Sequence, residues 1–242
     1  MTLAVKRALA LLKLFSSSTP EIGLSQAARL SGESKATVFR LLTTLCESGL
    51  VEQVAGAKCY RLGPALLDLA RVREATVPLL SVVQPVLDLL LEQTGETCHF
   101  SRFNGQEMAV VATAESRKAN RVTMQGMEFL PICTSAAGQV FLAFSDAGTA
   151  GAILAKAGLN DADRLALDGK LKQVRDQGYA IIEMFEEEEI FGVAGPVLAG
   201  DNGVAGSLAV AIPPHRMTAE ILKNTLECIR EGSRSLAGRI GA

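Results

Sequence analysis

The side chains of this sequence best suited to a chemical task are small, polar or basic, and they lie together between residues 34 and 43. Their spacing would place them on one face of a helix, at a rotation of about 100° per residue. Ammonium, guanidinium and hydroxyl groups on such a face can hydrogen-bond to the base edges and phosphates of double-stranded DNA. The residues expected on this face are Ala36, Arg40 and Thr43, with Lys35 and Thr37 near the exposed N-terminal turn. This pattern predicts a helix that enters the major groove of DNA.

The residues around this helix predict a helix-turn-helix. Ser25 is expected to cap a preceding helix, and Gly32 to end that helix in the left-handed conformation that glycine adopts readily. Ser34 is expected to cap the second helix. The apolar positions i, i+3, i+4 and i+7 of the second helix would form its buried stripe, namely Val38, Leu41, Leu42 and Leu45. Two short helices that meet at one glycine can therefore present the polar face outward.

Two strand-like runs follow, at residues 50–54 and 59–62, with the turn 55–58 between them. This hairpin would be a wing, with Lys58 at its tip and Arg61 on its return strand, near the phosphate backbone. The alternative is that the helix-turn-helix is a packing unit without DNA contacts. The predicted DNA-contacting residues are Ser25, Gln26, Ser34, Lys35, Ala36, Thr37, Arg40, Thr43, Lys58 and Arg61.

Charge is distributed unevenly along the 242 residues. Residues 1–75 contain ten Lys and Arg against six acidic residues, a net charge of +4, whereas the remainder contains 14 against 20, a net charge of −6. Together they give the net charge of −2 of the whole chain. A basic N-terminal region favours DNA because its binding releases counterions from the phosphates. Since +4 is modest, we expect two copies to bind a symmetric, palindromic operator together.

Length and composition indicate one large or two ordinary domains with real cores, since 48% of the residues are hydrophobic. No run reaches the roughly 18 apolar residues of a membrane span. The first 15 residues include Lys6, Arg7 and Lys13, unlike a signal peptide. We therefore expect a soluble, cytoplasmic protein with no membrane partner.

Enzymatic function is not expected. The sequence lacks the motifs of a serine-hydrolase elbow, a phosphate-binding loop and a zinc protease. Cys133 as a nucleophile with His99 as its base is conceivable, but neither has a recognisable orienting partner. The five cysteines are scattered and odd in number, which favours free thiols. Cys98 and His99 are adjacent on an expected strand and would point to opposite faces, so no metal and no cofactor are predicted.

The rest of the sequence alternates between helix and strand patterns. A helix is expected at 64–76, ended by Pro78, and a second domain begins with a helix at 78–93. The further expected strands are 97–103, 107–114, 121–125, 179–183, 193–198 and 204–211, and the further helices are 135–144, 147–156, 161–177 and 218–240. Strands in the middle with helices at both ends indicate an α+β fold, with helices packed on an antiparallel sheet.

Short motifs follow one another in a specific order along nearly the whole chain. They are Lys6-Arg7-Ala8-Leu9, residues 35–42, Tyr60-Arg61-Leu62-Gly63, residues 94–99, residues 133–138, Gly178-Tyr179-Ala180 and Ala194-Gly195-Pro196-Val197. In these motifs the sequence resembles the IclR family of bacterial transcriptional regulators. The resemblance implies a winged helix-turn-helix at 1–63, a linker helix at 64–77 and a GAF-like effector-binding domain at 78–242. It also implies a homodimer or dimer of dimers that represses or activates catabolic genes in response to a metabolite.

The sequence departs from the usual pattern of that family in the second helix, where Ala36 replaces a serine and Phe39 a histidine. The missing hydroxyl at position 36 removes a polar contact, whereas the methyl group of Ala36 can pack on a thymine methyl. We therefore expect this chain to read an operator different from those of its relatives.

An effector site is predicted where Ser135 precedes Ala136-Ala137-Gly138. Ser135 would cap a helix whose free amides, surrounded by small side chains, favour a carboxylate. The alternative is an ordinary capped helix with small residues for close packing.

Alignment with the resembled family implies an apolar pocket around this site. Where members often have a carboxylate, a cysteine and a Ser-x-Ser pair, this sequence has Ile182, Gly192, Ala209 and Ala211. Such a pocket satisfies small keto acids poorly, so we predict a hydrophobic or aromatic effector that is a carboxylate or one of its derivatives. The acidic run 186–189 is either a solvated loop or a charged lid. Adaptable apolar walls would be added by Met124, Met127, Phe129 and Phe191.

A group of apolar residues in the first helix and the linker helix admits two roles. They either contact a second copy of the chain or fill the core of the DNA-binding domain. The residues are Leu3, Val5, Ala8, Leu9, Leu12, Leu66, Leu69 and Ala70.

Overall fold

The computed structural model describes residues 3–16, 18–124, 129–183, 190–199 and 203–240. The chain divides into two compact units, Met1–Pro78 and Leu79–Ala242. No single helix in the described part is both long and apolar enough to cross a membrane, and Ala65–Thr76 and Leu79–Thr94 meet that test only when counted as a pair.

The N-terminal unit combines helices with a small antiparallel sheet. Its elements are α1 (Leu3–Leu12), β1 (Glu21–Gly23), α2 (Leu24–Ser31), α3 (Lys35–Glu47), β2 (Val51–Gln53), β3 (Cys59–Leu62) and α4 (Ala65–Thr76). The strands lie in the order β1-β3-β2. The hairpin of β2 and β3 confirms the predicted wing. The sequence does not predict β1, because three residues are too few to show an alternating pattern.

The apolar stripe of α3 holds this unit together. Val38, Leu42 and Leu45 are buried and Leu41 is half-buried, as predicted. The other buried residues of this core are Leu11, Phe15, Ile22, Ala27, Ala28, Val51 and Tyr60. Packing of the stripe fixes which face of α3 remains exposed.

Two of the three predicted caps in this unit are confirmed. Gly32 follows α2 with a φ of +70°, and the amide of Thr37 donates to Ser34 Oγ at 3.1 Å. The predicted cap at Ser25 is wrong. Gly23 is the N-cap of α2, because β1 runs directly into the helix and leaves Ser25 inside its first turn.

The C-terminal unit is a curled antiparallel sheet with helices on both faces, which confirms the predicted α+β class. Its elements are α5 (Leu79–Thr94), β4 (Thr97–Phe103), β5 (Met108–Ala114), β6 (Phe129–Leu130), α6 (Ala136–Phe144), α7 (Ala147–Lys156), α8 (Asp161–Gln177), β7 (Ala180–Ile182), β8 (Phe191–Leu198), β9 (Val204–Ile212), a 3-10 helix (Pro214–Arg216) and α9 (Ala219–Leu236). The strand order is β6-β5-β4-β9-β8-β7. Helices α5 and α9 pack on one face of the sheet, and α6 packs on the other.

Two predicted elements of this unit differ in the structure. No strand forms at 121–124, the described part of the predicted strand 121–125. Side chains satisfy this backbone instead: Thr97 Oγ1 donates to the carbonyl of Val122 at 2.6 Å, and the amide of Met124 donates to the carboxylate of Glu115 at 3.2 Å. The last helix ends at Leu236 rather than at residue 240.

Candidate functional site

Helix α3 carries half of the ten residues predicted to contact DNA, and a sixth, Ser34, is its N-cap. Apart from the half-buried Thr37, all ten predicted contacts are exposed: Ser25, Gln26, Ser34, Lys35, Ala36, Arg40, Thr43, Lys58 and Arg61. Within the described residues, neither Lys35 nor Arg40 forms an ion pair. The charges of these two side chains are therefore available to phosphates and base edges.

Hydroxyl groups on this face are already engaged in local hydrogen bonds. Ser34 Oγ lies 2.9 Å from Thr37 Oγ1, and Thr43 Oγ1 donates to the carbonyl of Phe39 at 2.9 Å. Each hydroxyl oxygen keeps acceptor capacity for a further partner. The side chain of Phe39 is 51% exposed, so the face combines charge with an aromatic ring that suits contact with thymine methyl groups.

The two basic residues of the wing, which we define as residues 51–62, differ in their acidic neighbours. Lys58 is exposed in the turn. The guanidinium of Arg61 donates to the Glu52 carboxylate at 2.6 Å, and Glu21 lies opposite Arg61 on the neighbouring strand β1. Because two carboxylates flank Arg61, Lys58 is the better placed of the two for a phosphate.

A cavity of about 40 Å³ lies in the C-terminal unit, between the sheet and the first turn of α6. We call it the α6 cavity. His99, Val122, Leu130 and Ile190 line it together with eight of the predicted effector residues, which are Met124, Ser135, Ala136, Ala137, Ile182, Gly192, Ala209 and Ala211. Polar side chains are contributed only by Ser135 and His99 within the described lining. The residues predicted from motifs far apart in the chain thus meet at one apolar site.

Two other predicted wall residues, Phe129 and Phe191, do not line the α6 cavity. Phe129 is on the edge strand β6 with its side chain 49% exposed. Phe191 packs against the core beneath α5 and α9, because side chains alternate along β8 and Gly192 faces the cavity. Gly138 lies in the first turn of α6 but serves packing. Met127 and the run 186–189 lie outside the described residues.

The start of α6 is fixed by a cap and by the close approach of its backbone at Gly138 to the backbone of Ile132. Ser135 Oγ accepts from the amide of Gly138 at 3.0 Å and donates to the carbonyl of Pro131 at 2.6 Å, which confirms the predicted cap. A Cβ on Gly138 would lie 2.6 Å from the carbonyl carbon of Ile132, so only glycine permits this crossing. The alternative of a capped helix with close packing therefore explains Gly138. Ala136 and Ala137, the two first-turn residues before it, line the cavity. Amides in the first turn of a helix have no intrahelical acceptor.

The size of the α6 cavity limits what it can hold in this conformation. A benzene ring fits an apolar cavity of about 150 Å³, whereas one water needs only about 10–15 Å³. At about 40 Å³ the cavity admits a few waters and no ring. Ile182 fills part of the space, since its Cγ1 would lie 2.9 Å from a Cβ built on Gly192. An aromatic ligand must therefore displace flexible walls such as Ile182 and Met124.

The sequence alone does not place His99 in the effector site. Its side chain is 6% exposed, and both ring nitrogens are buried with no hydrogen-bond partner in the part of the chain that the structure describes. Burial lowers the pKa of His99 to about 4, so the imidazole is neutral near pH 7. Residue 99 pairs with Ala209 between β4 and β9. Only that long-range pairing reveals that His99 and the predicted Ala209 share a face, and the sequence does not show it.

Cys133 does not form a catalytic pair with His99. It lies in a neighbouring groove lined by residues of α6, α8 and β7, and it does not line the α6 cavity. Burial also raises the pKa of the Cys133 thiol, which disfavours the thiolate. Among the described residues, no cluster of three or more His, Cys, Asp or Glu side chains is arranged to hold a metal ion.

Comparison with known families assigns both units. Residues 75–237 match the family described as bacterial transcriptional regulator IclR C-terminal, and residues 4–55 match the IclR helix-turn-helix domain. The chain belongs to the IclR family. This IclR protein is accordingly a transcriptional regulator with a DNA-binding helix-turn-helix and a C-terminal ligand-binding domain.

Relatives and solved structures agree with the IclR assignment along the whole chain. The HTH-type transcriptional regulator TtgV of Pseudomonas putida is 30% identical, over 92% of this chain and 86% of its own. An IclR transcriptional regulator from Silicibacter sp. TM1040 shares the fold with a TM-score of 0.89 and 41% identity, over 99% of this chain and 97% of the other. An IclR homologue from Microbacterium hydrocarbonoxydans, crystallised with 4-hydroxybenzoate, has a TM-score of 0.78 and 20% identity, over 98% of each chain.

The buried imidazole of this IclR regulator predicts a pH-dependent stability. Below pH 6.5 the unfolded chain binds a proton at His99 that the folded chain does not bind until about pH 4. The free energy of unfolding therefore falls as the pH is lowered, by about 2 kcal/mol between pH 6.5 and pH 5 at about 1.4 kcal/mol per pH unit. Urea denaturation at these two values measures this loss.

A leucine at position 99 provides the control for this pH dependence. His99→Leu should lose about 2 kcal/mol less than the wild type over the same interval. His215→Ala, which changes an exposed histidine, should behave as the wild type does. An equal loss in the wild type and His99→Leu would contradict the prediction.

Proposed function

We propose that this IclR regulator controls catabolic genes in response to a hydrophobic or aromatic carboxylate, or a derivative of one, bound in the α6 cavity. The observation that carries the proposal is the composition of the cavity, where apolar side chains meet the N-terminus of α6. Helix N-termini favour carboxylates, and the apolar walls favour the body of a ring over a small keto acid. The bound 4-hydroxybenzoate of the Microbacterium homologue is an acid of this class.

We further propose that two or four copies act together on DNA in the cytoplasm. A helix-turn-helix dimer reads two half-sites about 34 Å apart, which implies a palindromic operator. Leu3, Val5 and Leu9 of α1 and Leu69 of α4 are exposed, which supports contact with a second copy. Ala8 and Leu12 instead pack on the core of the N-terminal unit, so the proposed contact with a second copy does not include them.

The mechanism that we propose is a shift between two arrangements of the dimer. Residues 1–63 would bind DNA, the linker helix 64–77 would transmit the change, and residues 78–242 would bind the effector. An effector that prefers one arrangement alters the spacing of the two α3 helices. A tenfold change in DNA affinity requires a preference of only about 1.4 kcal/mol.

The experiment is a fluorescence anisotropy titration of the full-length protein with an operator selected from a random DNA library. Benzoate, 4-hydroxybenzoate and phenylacetate should each change the dissociation constant for DNA by about tenfold or more, whereas pyruvate and glyoxylate should leave it unchanged. Ala209→Leu is the control, because a larger side chain at Ala209 fills the α6 cavity and this residue belongs to the C-terminal unit. This variant should bind DNA normally and ignore the acids. A response to the keto acids alone would overturn the proposed effector class.

A further inference from the structure

The imidazole of His99 is unusual among the polar groups of the C-terminal sheet. Buried polar atoms in folded proteins nearly always have hydrogen-bond partners, and an exception calls for an explanation. The neighbours of His99 on the same face of β4 follow the rule: Thr97 Oγ1 donates to the carbonyl of Val122, and Ser101 Oγ lies 3.4 Å from Ser207 Oγ. Both ring nitrogens of His99 lack a hydrogen-bond partner among the described residues, and the residue lines the α6 cavity.

The position of His99 relative to α6 indicates what its partner looks like. Ala136, at the start of α6, lies over Gly192 of β8, with its Cβ 3.7 Å from a Cβ built there. Strand β9 lies between β8 and β4, and the pairing across the sheet runs from Gly192 to Ala211 to Thr97. The backbone of His99 is therefore about 10 Å across the sheet and about 7 Å along it from the backbone beneath the helix start. The floor between them contains Ala209 and Ala211. The cavity therefore has two polar ends separated by an apolar floor.

We infer that His99 is a specificity-determining residue for the effector, which carries its carboxylate at the α6 N-terminus and a second hydrogen-bonding group, most simply a hydroxyl, at the imidazole. This inference rests on the proposed function and adds a requirement to it. A neutral imidazole offers one N–H donor and one lone pair, and a hydroxyl group can pair with either. A benzoate without a second polar group leaves the imidazole unsatisfied and binds less well.

A pair of acids with matched size tests the inference. Isothermal titration of the full-length wild type with 4-hydroxybenzoate and 4-methylbenzoate should show tighter binding of the hydroxy acid by about tenfold, equivalent to about 1.4 kcal/mol. In His99→Leu, of similar volume but without polar atoms, the preference should disappear or reverse in favour of the methyl acid. His99→Gln, which restores a donor and an acceptor, should recover part of the preference for the hydroxyl.

Controls separate recognition by His99 from structural support. Thr113→Val changes a residue paired with His99 on β5 that does not line the cavity, and this variant should keep the wild-type preference. The unliganded His99→Leu protein should melt at a higher temperature than the wild type, because it no longer buries an unpaired imidazole. If His99→Leu does not fold, the test is the ratio of the dissociation constants of the two acids in His99→Gln.

Three outcomes would overturn the inference. A hydroxyl preference that persists in His99→Leu would show that the imidazole does not meet the hydroxyl. An equal loss of affinity for both acids would show that His99 only supports the cavity or binds the carboxylate. If neither acid binds the wild type, the proposed effector class fails, and the role of His99 fails with it.

Discussion

Arg40→Ala is expected to abolish specific DNA binding while the protein remains folded. Arg40 is exposed on α3 and forms no ion pair within the described residues, so its guanidinium can make a bidentate contact with a guanine or a phosphate. Such a contact contributes about 1–3 kcal/mol, and a dimer on a palindrome loses it twice. The affinity for the operator should therefore fall by a factor of about 30 to about 10⁴, as measured by fluorescence anisotropy.

Two further variants show what Arg40 does at the DNA. Arg40→Lys keeps the charge but loses the planar fork, so it should restore binding only if Arg40 meets a phosphate. Arg164→Ala removes an exposed arginine of α8 that pairs with Asp168, and it should leave DNA affinity unchanged. Wild-type DNA affinity in Arg40→Ala would favour the alternative that the helix-turn-helix serves only for packing.

Gly138→Ala is expected to destabilise the C-terminal unit by about 3 kcal/mol or more, a loss typical of severe overpacking in a core. The added Cβ would lie 2.6 Å from the carbonyl carbon of Ile132 and 2.7 Å from its Cα. These atoms are backbone and cannot rotate away. The helix cannot shift either, because Val140 and Leu142 are fully buried behind it. Urea denaturation of the full-length protein measures the loss.

A glycine in open space supplies the control for this substitution. Gly151 lies within α7, and a Cβ built there would have no neighbour within 4 Å. Gly151→Ala should therefore stabilise the protein by up to about 1 kcal/mol, because alanine is the better helix former. If Gly138→Ala unfolds at the same urea concentration as the wild type, the backbone crossing at Ile132 does not constrain the start of α6.

Local patterns in the sequence predict the DNA-binding helix well. The stripe of Val38, Leu42 and Leu45 repeats at helical spacing, and a periodic apolar face has one buried orientation. The caps at Ser34 and Ser135 are also local, since each hydroxyl meets an amide three residues later. Features that depend on a few neighbouring residues can therefore be predicted from the sequence.

Features that depend on contacts across the chain are not predicted. Residues 121–125 alternate like a strand, but Thr97 and Glu115 satisfy the described backbone at 122 and 124, so no ladder forms there. Ser25 has the residue type of a cap, but β1 places it within the helix. His99 enters the effector site because β4 pairs with β9, more than 100 residues away. Neither the composition nor the local pattern of the sequence shows that these two strands are neighbours.

The closed α6 cavity also affects how tightly any effector binds. If only a small fraction of molecules has the cavity open, the apparent dissociation constant is the intrinsic constant divided by that fraction. An open population of about 1% would weaken binding about a hundredfold. A substitution that reduces the packing of Ile182 in the cavity would then raise effector affinity by enlarging the open population. Sensitivity to the metabolite can thus evolve through the walls of the cavity, separately from the groups that recognise the ligand.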